Sequence, residues 1–190
     1  MFIIEGADSL GKSTLAKSIT TCMHERGHPV WYTHMTRPPA CFNFGTDYLD
    51  MMSYYAVQDR FHLGALAYHG DEALPQSKRK WLEANIIRHA SFIVVLVAVD
   101  REWYRMKLIE ESRDQMFDVD FLMEANERYI RMIDIHNEED TVHHDFVFDI
   151  GPDGDRDNGY PIDEDVLRWS QMWERKLVKA QREGILPWRE

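Results

Sequence analysis

Apolar residues recur along this chain in two alternating patterns. Short continuous runs stand at Phe2-Ile3-Ile4, Val30-Trp31-Tyr32, Tyr54-Tyr55-Ala56-Val57-Gln58, Phe92 to Ala98 and Asp145 to Ile150. Each is bounded by Gly, Pro or Asp nearby and reads as a strand. The fourth is β-branched and unbroken, the pattern of a strand covered on both faces. Between the runs lie segments with helical spacing. The first runs from about Lys12 to Arg26 and is closed by Gly27. Ser77 is positioned to cap a second, to about His89, and Asp100 a third, to about Ser112. A fourth covers Val119 to Asn137, with Leu122, Asn126, Tyr129, Ile130 and Ile133 on one face. Asp163 is positioned to cap the last, which ends near Gly184. Residues 40 to 53 are aromatic and irregular, with a short helix suggested around Tyr48 to Ser53. Strands alternating with helices predict an α/β fold, a five-stranded parallel sheet with helices on both faces, in one domain over residues 1–190. In such a sheet, ligands gather at the carboxyl ends of the strands.

The first strand ends in Glu5-Gly6-Ala7-Asp8-Ser9-Leu10-Gly11-Lys12-Ser13-Thr14. Gly6 through Ser13 fit G-x-x-x-x-G-K-[ST], the phosphate-binding P-loop, in its required strand–loop–helix context. The two glycines let the backbone turn tightly and approach a phosphate. Successive N–H groups from Gly6 to Thr14 then form an anion nest at the positive end of a helix. Lys12 supplies a point charge for the β- and γ-phosphates, and Ser13 a hydroxyl for magnesium. The motif predicts a site for a nucleoside triphosphate with Mg2+.

Composition narrows the partners. The chain has 190 residues and a formal net charge of -11, which argues against a broad non-specific grip on DNA or anionic membrane. Two cysteines, Cys22 and Cys41, form no disulfide framework and fit a reducing cytoplasm. Phe92 to Val99, the longest apolar run, is too short to span a bilayer. Met1 leads directly into the first strand, so a cytoplasmic location is expected. The nine histidines show no metal-ligand spacing, and the six tryptophans read mostly as packing residues.

Further residues resemble one family. Glu5-Gly6-x-Asp8-x-x-Gly11-Lys12-Ser13-Thr14 resembles the thymidylate kinase version of the loop, and Thr36-Arg37-Pro38-Pro39 resembles that family's Thr-Arg-Glu-Pro segment. Asp59-Arg60-Phe61 with Ala67-Tyr68-His69-Gly70 is similar to its Asp-Arg-Tyr and Ala-Tyr-Gln-Gly segments, and Arg105 with Arg113 to its arginine-bearing lid, here about 101–118. Asp59-Arg60-Phe61-His62-Leu63 looks most like the compact nucleotide kinases encoded by bacteriophages, which implies the host cytoplasm. The resemblance implies the three-layer P-loop kinase fold, with ATP and Mg2+ as cofactors and often a homodimer. It implies roles as well. Asp59 acts near magnesium or orients the acceptor oxygen, and Arg60 holds the acceptor phosphate. Asp8 touches the acceptor sugar, Arg37 neutralises charge, Arg105 and Arg113 close over the triphosphate, and Tyr68 lies at the acceptor. Several cations converging on one crevice is what phosphoryl transfer needs.

The chain departs from that pattern where the acceptor pocket should be. Pro38 replaces the family's glutamate, and residues 38 to 53 are too few for the two helices that build its nucleobase pocket. Three readings follow. The acceptor is a deoxynucleoside monophosphate, thymidylate or a modified pyrimidine nucleotide. Alternatively it is 5-hydroxymethyluracil within phage DNA, which an open cleft and the basic segment Lys78-Arg79-Lys80 with Arg88 would suit. In the third, the chain is a non-catalytic P-loop nucleotide-binding protein. The guanine-reading Asn-Lys-x-Asp does not occur, and the Gly151 to Gly159 loop follows the fifth strand where adenine sits in this kinase group, so ATP is the expected nucleotide.

Overall fold

The computed structural model describes residues 1–35, 55–70, 72, 74–89, 91–111, 118–134, 143–155 and 159–185. These hold a five-stranded, all-parallel sheet: β1 (Phe2–Gly6), β2 (Trp31–His34), β3 (Ala56–Asp59), β4 (Phe92–Val97) and β5 (Phe146–Asp149). The order across the sheet is β2-β3-β1-β4-β5. β1 is central, with Phe2 opposite Val57 on one side and Phe92 on the other. Its residues, like those of β3 and β4, are buried throughout, so these strands show no alternation of apolar and polar faces; β4 is an unbroken apolar run, while β1 and β3 also bury Glu5, Gln58 and Asp59 toward their carboxyl ends.

Helices cover both faces: α1 (Lys12–Glu25), α2 (His62–His69), α3 (Gln76–Arg88), α4 (Arg101–Glu111), α5 (Val119–Ile133) and α6 (Asp163–Arg182). From β1 the chain moves toward β2, whereas from β3 and from β4 it moves the opposite way. Right-handed crossovers therefore put α1 on one face and α2 to α5 on the other. α6 returns to pack beside α1. The result is the expected three-layer α/β arrangement, and the change of direction beside β1 opens a crevice at its carboxyl end.

Several boundaries differ from the sequence reading, each for a local reason. Helix α2 has no counterpart in the sequence pattern: His62 to Tyr68 are all buried, so it has no polar face and no amphipathic stripe. Helix α3 begins at Gln76 after Pro75, ahead of the expected Ser77 cap. Within it Arg79 does not share a basic surface with Lys78 and Lys80; it turns inward with Leu82 and Ile86 at helical spacing. Asp100 does cap α4, its carboxylate accepting from Trp103 N at 2.9 Å. Ile162, not Asp163, is the cap of α6, and the Asp165 carboxylate reaches back to Ile162 N at 3.0 Å. α5 ends at Ile133 rather than Asn137. Its Asn126 is buried and clamps the end of β4, donating to Ala98 O at 2.8 Å and accepting from Ala98 N at 3.1 Å.

The core spans both faces. Trp169 and Trp173 of α6 are fully buried, with Trp173 edge-on to Phe2 at 5.5 Å. Trp31 and Trp81 are exposed, so the expectation of mostly packed tryptophans holds for only part of the set. Among the described residues no helix is long and apolar enough to cross a membrane. Residues 40–53, with Cys41 and the suggested Tyr48 to Ser53 helix, lie outside the described residues.

Candidate functional site

The loop from Gly6 to Ser13 stands at the carboxyl end of the central strand. Gly6 has φ 140°, and a Cβ there would run into the Leu96 carbonyl of β4. Close contact with the neighbouring strand thus demands glycine. Gly11 has φ 77°, and its Cβ would lie 3.1 Å from the Tyr160 ring. Ala7 and Leu10 are fully buried, so they anchor the loop in the core and offer a ligand only backbone groups. Lys12 opens α1, is buried, and folds its ammonium back to donate to Ala7 O. Burial pushes this ammonium down from 10.5 to about 8, against the opposing pull of Asp59 and Glu5.

Asp59, at the end of the adjacent strand β3, lies beside Lys12 and is completely buried. Its Oδ2 accepts from Ser13 Oγ at 2.5 Å and from Tyr32 OH at 3.2 Å, and lies 2.9 Å from His34 Nδ1. Its Oδ1 is buried with no hydrogen-bond partner among the described residues. A carboxylate oxygen left open beside a serine hydroxyl suits a hard cation, which prefers oxygen ligands. Among the described residues no group of three or more His, Cys, Asp or Glu could hold a metal unaided. Ser13 and Asp59 therefore fit a magnesium ion that arrives with its phosphates, the usual way magnesium is bound at such sites.

Arg60 follows with a left-handed backbone, φ 66°, and donates its N–H to Ile4 O at 2.9 Å. The kink turns its guanidinium to pair with the Asp8 carboxylate and to lie 5.5 Å from the centre of the Tyr68 ring. What holds the kink is a buried carboxylate that the motif reading gave no role. Glu5 Oε1 accepts from Phe61 N at 3.0 Å and Leu63 N at 2.9 Å, and Oε2 from Tyr129 OH at 3.1 Å. Burial raises the Glu5 carboxyl from 4.5 to about 7, against these hydrogen bonds. Next to it His62 is buried between Glu5 and Glu83, 3.9 Å from each, and burial lowers it to about 3, so it is neutral.

The opposite end of the loop faces a cleft of about 440 Å³. Ser9, Gly11 and Thr14 form one side, and Lys107, Tyr160 and Val166 close it. Lys107 Nζ lies 5.3 Å from the centre of the Tyr160 ring and donates to Glu111 at 2.7 Å. Tyr104 of the same helix ties α4 to the loop, its OH donating to Asp8 O at 2.8 Å. The loop thus separates two neighbourhoods: an aromatic cleft at Gly11, and the Asp8–Arg60–Tyr68 group beyond Asp8.

The structure brings together most of the residues singled out in the sequence: Gly6 to Thr14, Asp59, Arg60 and Tyr68 form one continuous region. Arg105 is elsewhere. Its guanidinium is exposed and lies 3.2 Å from Asp120 of α5, away from the cleft lining. Among the described residues, the cation that lines the cleft is Lys107, two residues on. Its signal was the spacing of Trp103, Lys107 and Glu111, which places an aromatic, a cation and an anion on one helical face. Arg37 and Arg113 lie outside the described residues. No protein-family model matches the chain, and comparison with curated proteins returns no match either.

Proposed function

We propose that this chain is an ATP- and Mg2+-dependent phosphotransferase whose acceptor is a deoxynucleoside monophosphate, thymidylate or a modified pyrimidine nucleotide. The observation that carries the reading is the juxtaposition of Lys12, the Ser13–Asp59 pair and Arg60 along the carboxyl ends of β1 and β3. A simple nucleotide-binding loop has no need of a second cation turned by a strained backbone toward the far side of the phosphates.

The residues divide the work. The Gly11 cleft offers the Tyr160 face and the apolar side of Val166 to the adenine. Loop N–H groups cradle the phosphates, and Lys12 leaves Ala7 O to take the charge of the transferring group. Ser13 and Asp59 would hold a magnesium ion bound with the nucleotide, which would supply charge neutralisation on the triphosphate. Arg60 exchanges its hold on Asp8 for the acceptor phosphate, which a guanidinium fork matches bidentately. Asp8, so released, is free to accept from a sugar hydroxyl. Glu5 keeps the α2 amino terminus in place, so that Arg60 needs no rearrangement of its backbone.

One observation favours a second acceptor, a nucleotide within DNA. On α3, Lys78, exposed Trp81, Asn85 and Arg88 share one face. An open indole between cations is a surface on which a nucleic acid base stacks. The test is an acceptor screen with purified protein, ATP and magnesium, offering each dNMP and, separately, plain and hydroxymethylated duplex. Product from a free dNMP supports the first reading. Product only with hydroxymethylated DNA, falling with salt, supports the second. ATP binding without transfer to any acceptor overturns both and leaves a nucleotide-binding protein.

A further inference from the structure

At the end of α1 and α6 remote from the loop lies a second opening, of about 630 Å³. Arg26, Gln171, Arg175, Val178, Lys179 and Arg182 line it, with Glu174 between the helices. Helix α1 carries the chain roughly 20 Å from Gly11 to Arg26, so this opening is separate from the phosphate loop. It has the size of a small-molecule site.

Its charge runs against the rest of the molecule. In a chain of net charge -11, four cations face one opening. Arg175, Lys179 and Arg182 recur at i, i+4 and i+7 on α6, a spacing at which like charges destabilise a helix. Internal anions answer them only in part. Glu174 is occupied by Arg26 and by His28 at 2.7 Å, and both contacts hold its carboxyl below the ordinary range. Lys179 reaches Glu183 at 3.8 Å. Arg175 and Arg182 make no ion pair with any described residue. The dipole of α6 accounts for Lys179 and Arg182 in its last turn. It does not account for Arg175, two turns upstream, because that effect falls off within the final turn.

We infer that this opening binds an oligophosphate, a run of two or three linked phosphates borne by a nucleotide or free. Arg175, Lys179 and Arg182 are spread over about two helical turns, and their long side chains can converge from both sides on one short run of linked phosphates, with both arginines open to bidentate contact. Arg26, held by Glu174, fixes the α1 side of the opening.

The test uses the full chain carrying Lys12→Ala, which disables the loop site, titrated calorimetrically with inorganic tripolyphosphate at physiological salt. One equivalent should bind, and adding R175S, K179S and R182S should weaken it at least tenfold. With Lys12 intact, the triple substitution should leave ATP binding at the loop unchanged. Arg175→Glu alone, with a melting curve as control, serves if the triple variant unfolds. ATP binding more tightly than tripolyphosphate at this opening assigns the nucleotide source, and equal binding assigns the bare phosphate chain. No binding by the Lys12→Ala protein, or binding indifferent to the α6 substitutions, overturns the inference. The outcome is independent of whether the loop site transfers phosphate.

Discussion

Lys12 should be a residue that weakens the fold it serves. Its ammonium is buried and held from 10.5 down to about 8. Each pH unit corresponds to about 1.4 kcal/mol, so keeping this charge buried at neutral pH costs about 3 kcal/mol. Lys12→Met removes the charge but keeps an unbranched apolar stem. It also leaves Ala7 O without its donor, a loss of about 1 kcal/mol. The variant is therefore expected to be more stable than the wild type by about 2 kcal/mol at pH 7. The sign is testable by pH. Between about 8 and 10.5 the unfolded chain holds a proton that folded Lys12 has lost, so wild-type stability rises with pH in that window. The lead of Lys12→Met should shrink there by about 1.4 kcal/mol per pH unit, vanish at about pH 9.5, and give way above about 10.5 to a deficit of about 1 kcal/mol, the lost hydrogen bond. Urea unfolding of both proteins from pH 6.5 to 10.5 measures this directly, and ATP titration should show that the stabilised variant has lost its nucleotide. A variant less stable at pH 7, or a lead that ignores pH, refutes the buried-charge reasoning.

Other consequences are equally direct. Gly6→Ala drives a Cβ into Leu96 O at φ 140° and should cost about 3 kcal/mol or more, read as a fall in melting temperature; an unchanged temperature contradicts the close approach of β1 and β4. Arg60→Ala should lower kcat/KM for the acceptor by about 10- to 100-fold while ATP affinity holds, and equal losses on both substrates would remove its acceptor role. Asp59→Asn should cut turnover by about 100-fold or more and raise the magnesium concentration needed for half-maximal rate. Glu5 has a folded pKa raised from 4.5 to about 7, so the folded state holds the extra proton and stability falls as pH rises through that window. Glu5→Gln should flatten this decline, measured as the difference between the two unfolding curves, and parallel curves would argue against a buried titrating carboxyl.

The residues alone determined a good deal. Unbroken β-branched runs such as Phe92 to Val97 declared strands buried on both faces, and their alternation with helices implied a parallel sheet. The loop from Gly6 to Ser13 was legible because its glycines, lysine and serine must stand at fixed spacing for backbone N–H groups to converge. Asp59 and Arg60 were legible as a pair at a strand end. How these groups meet follows from the packing of segments distant in the chain. Helix α2 carries no periodic signal because packing surrounds it on every side and erases the polar stripe that periodicity needs. Glu5 looked like one letter of a motif, yet burial makes it the carboxylate that holds the α2 amino terminus. Lys107 rather than Arg105 lines the aromatic cleft, because helical phase, not residue type, selects the side chain that faces inward. Local sequence sets spacing and propensity; which polar groups lose water and face one another is set when distant segments pack, and that is where the chemistry of this site resides.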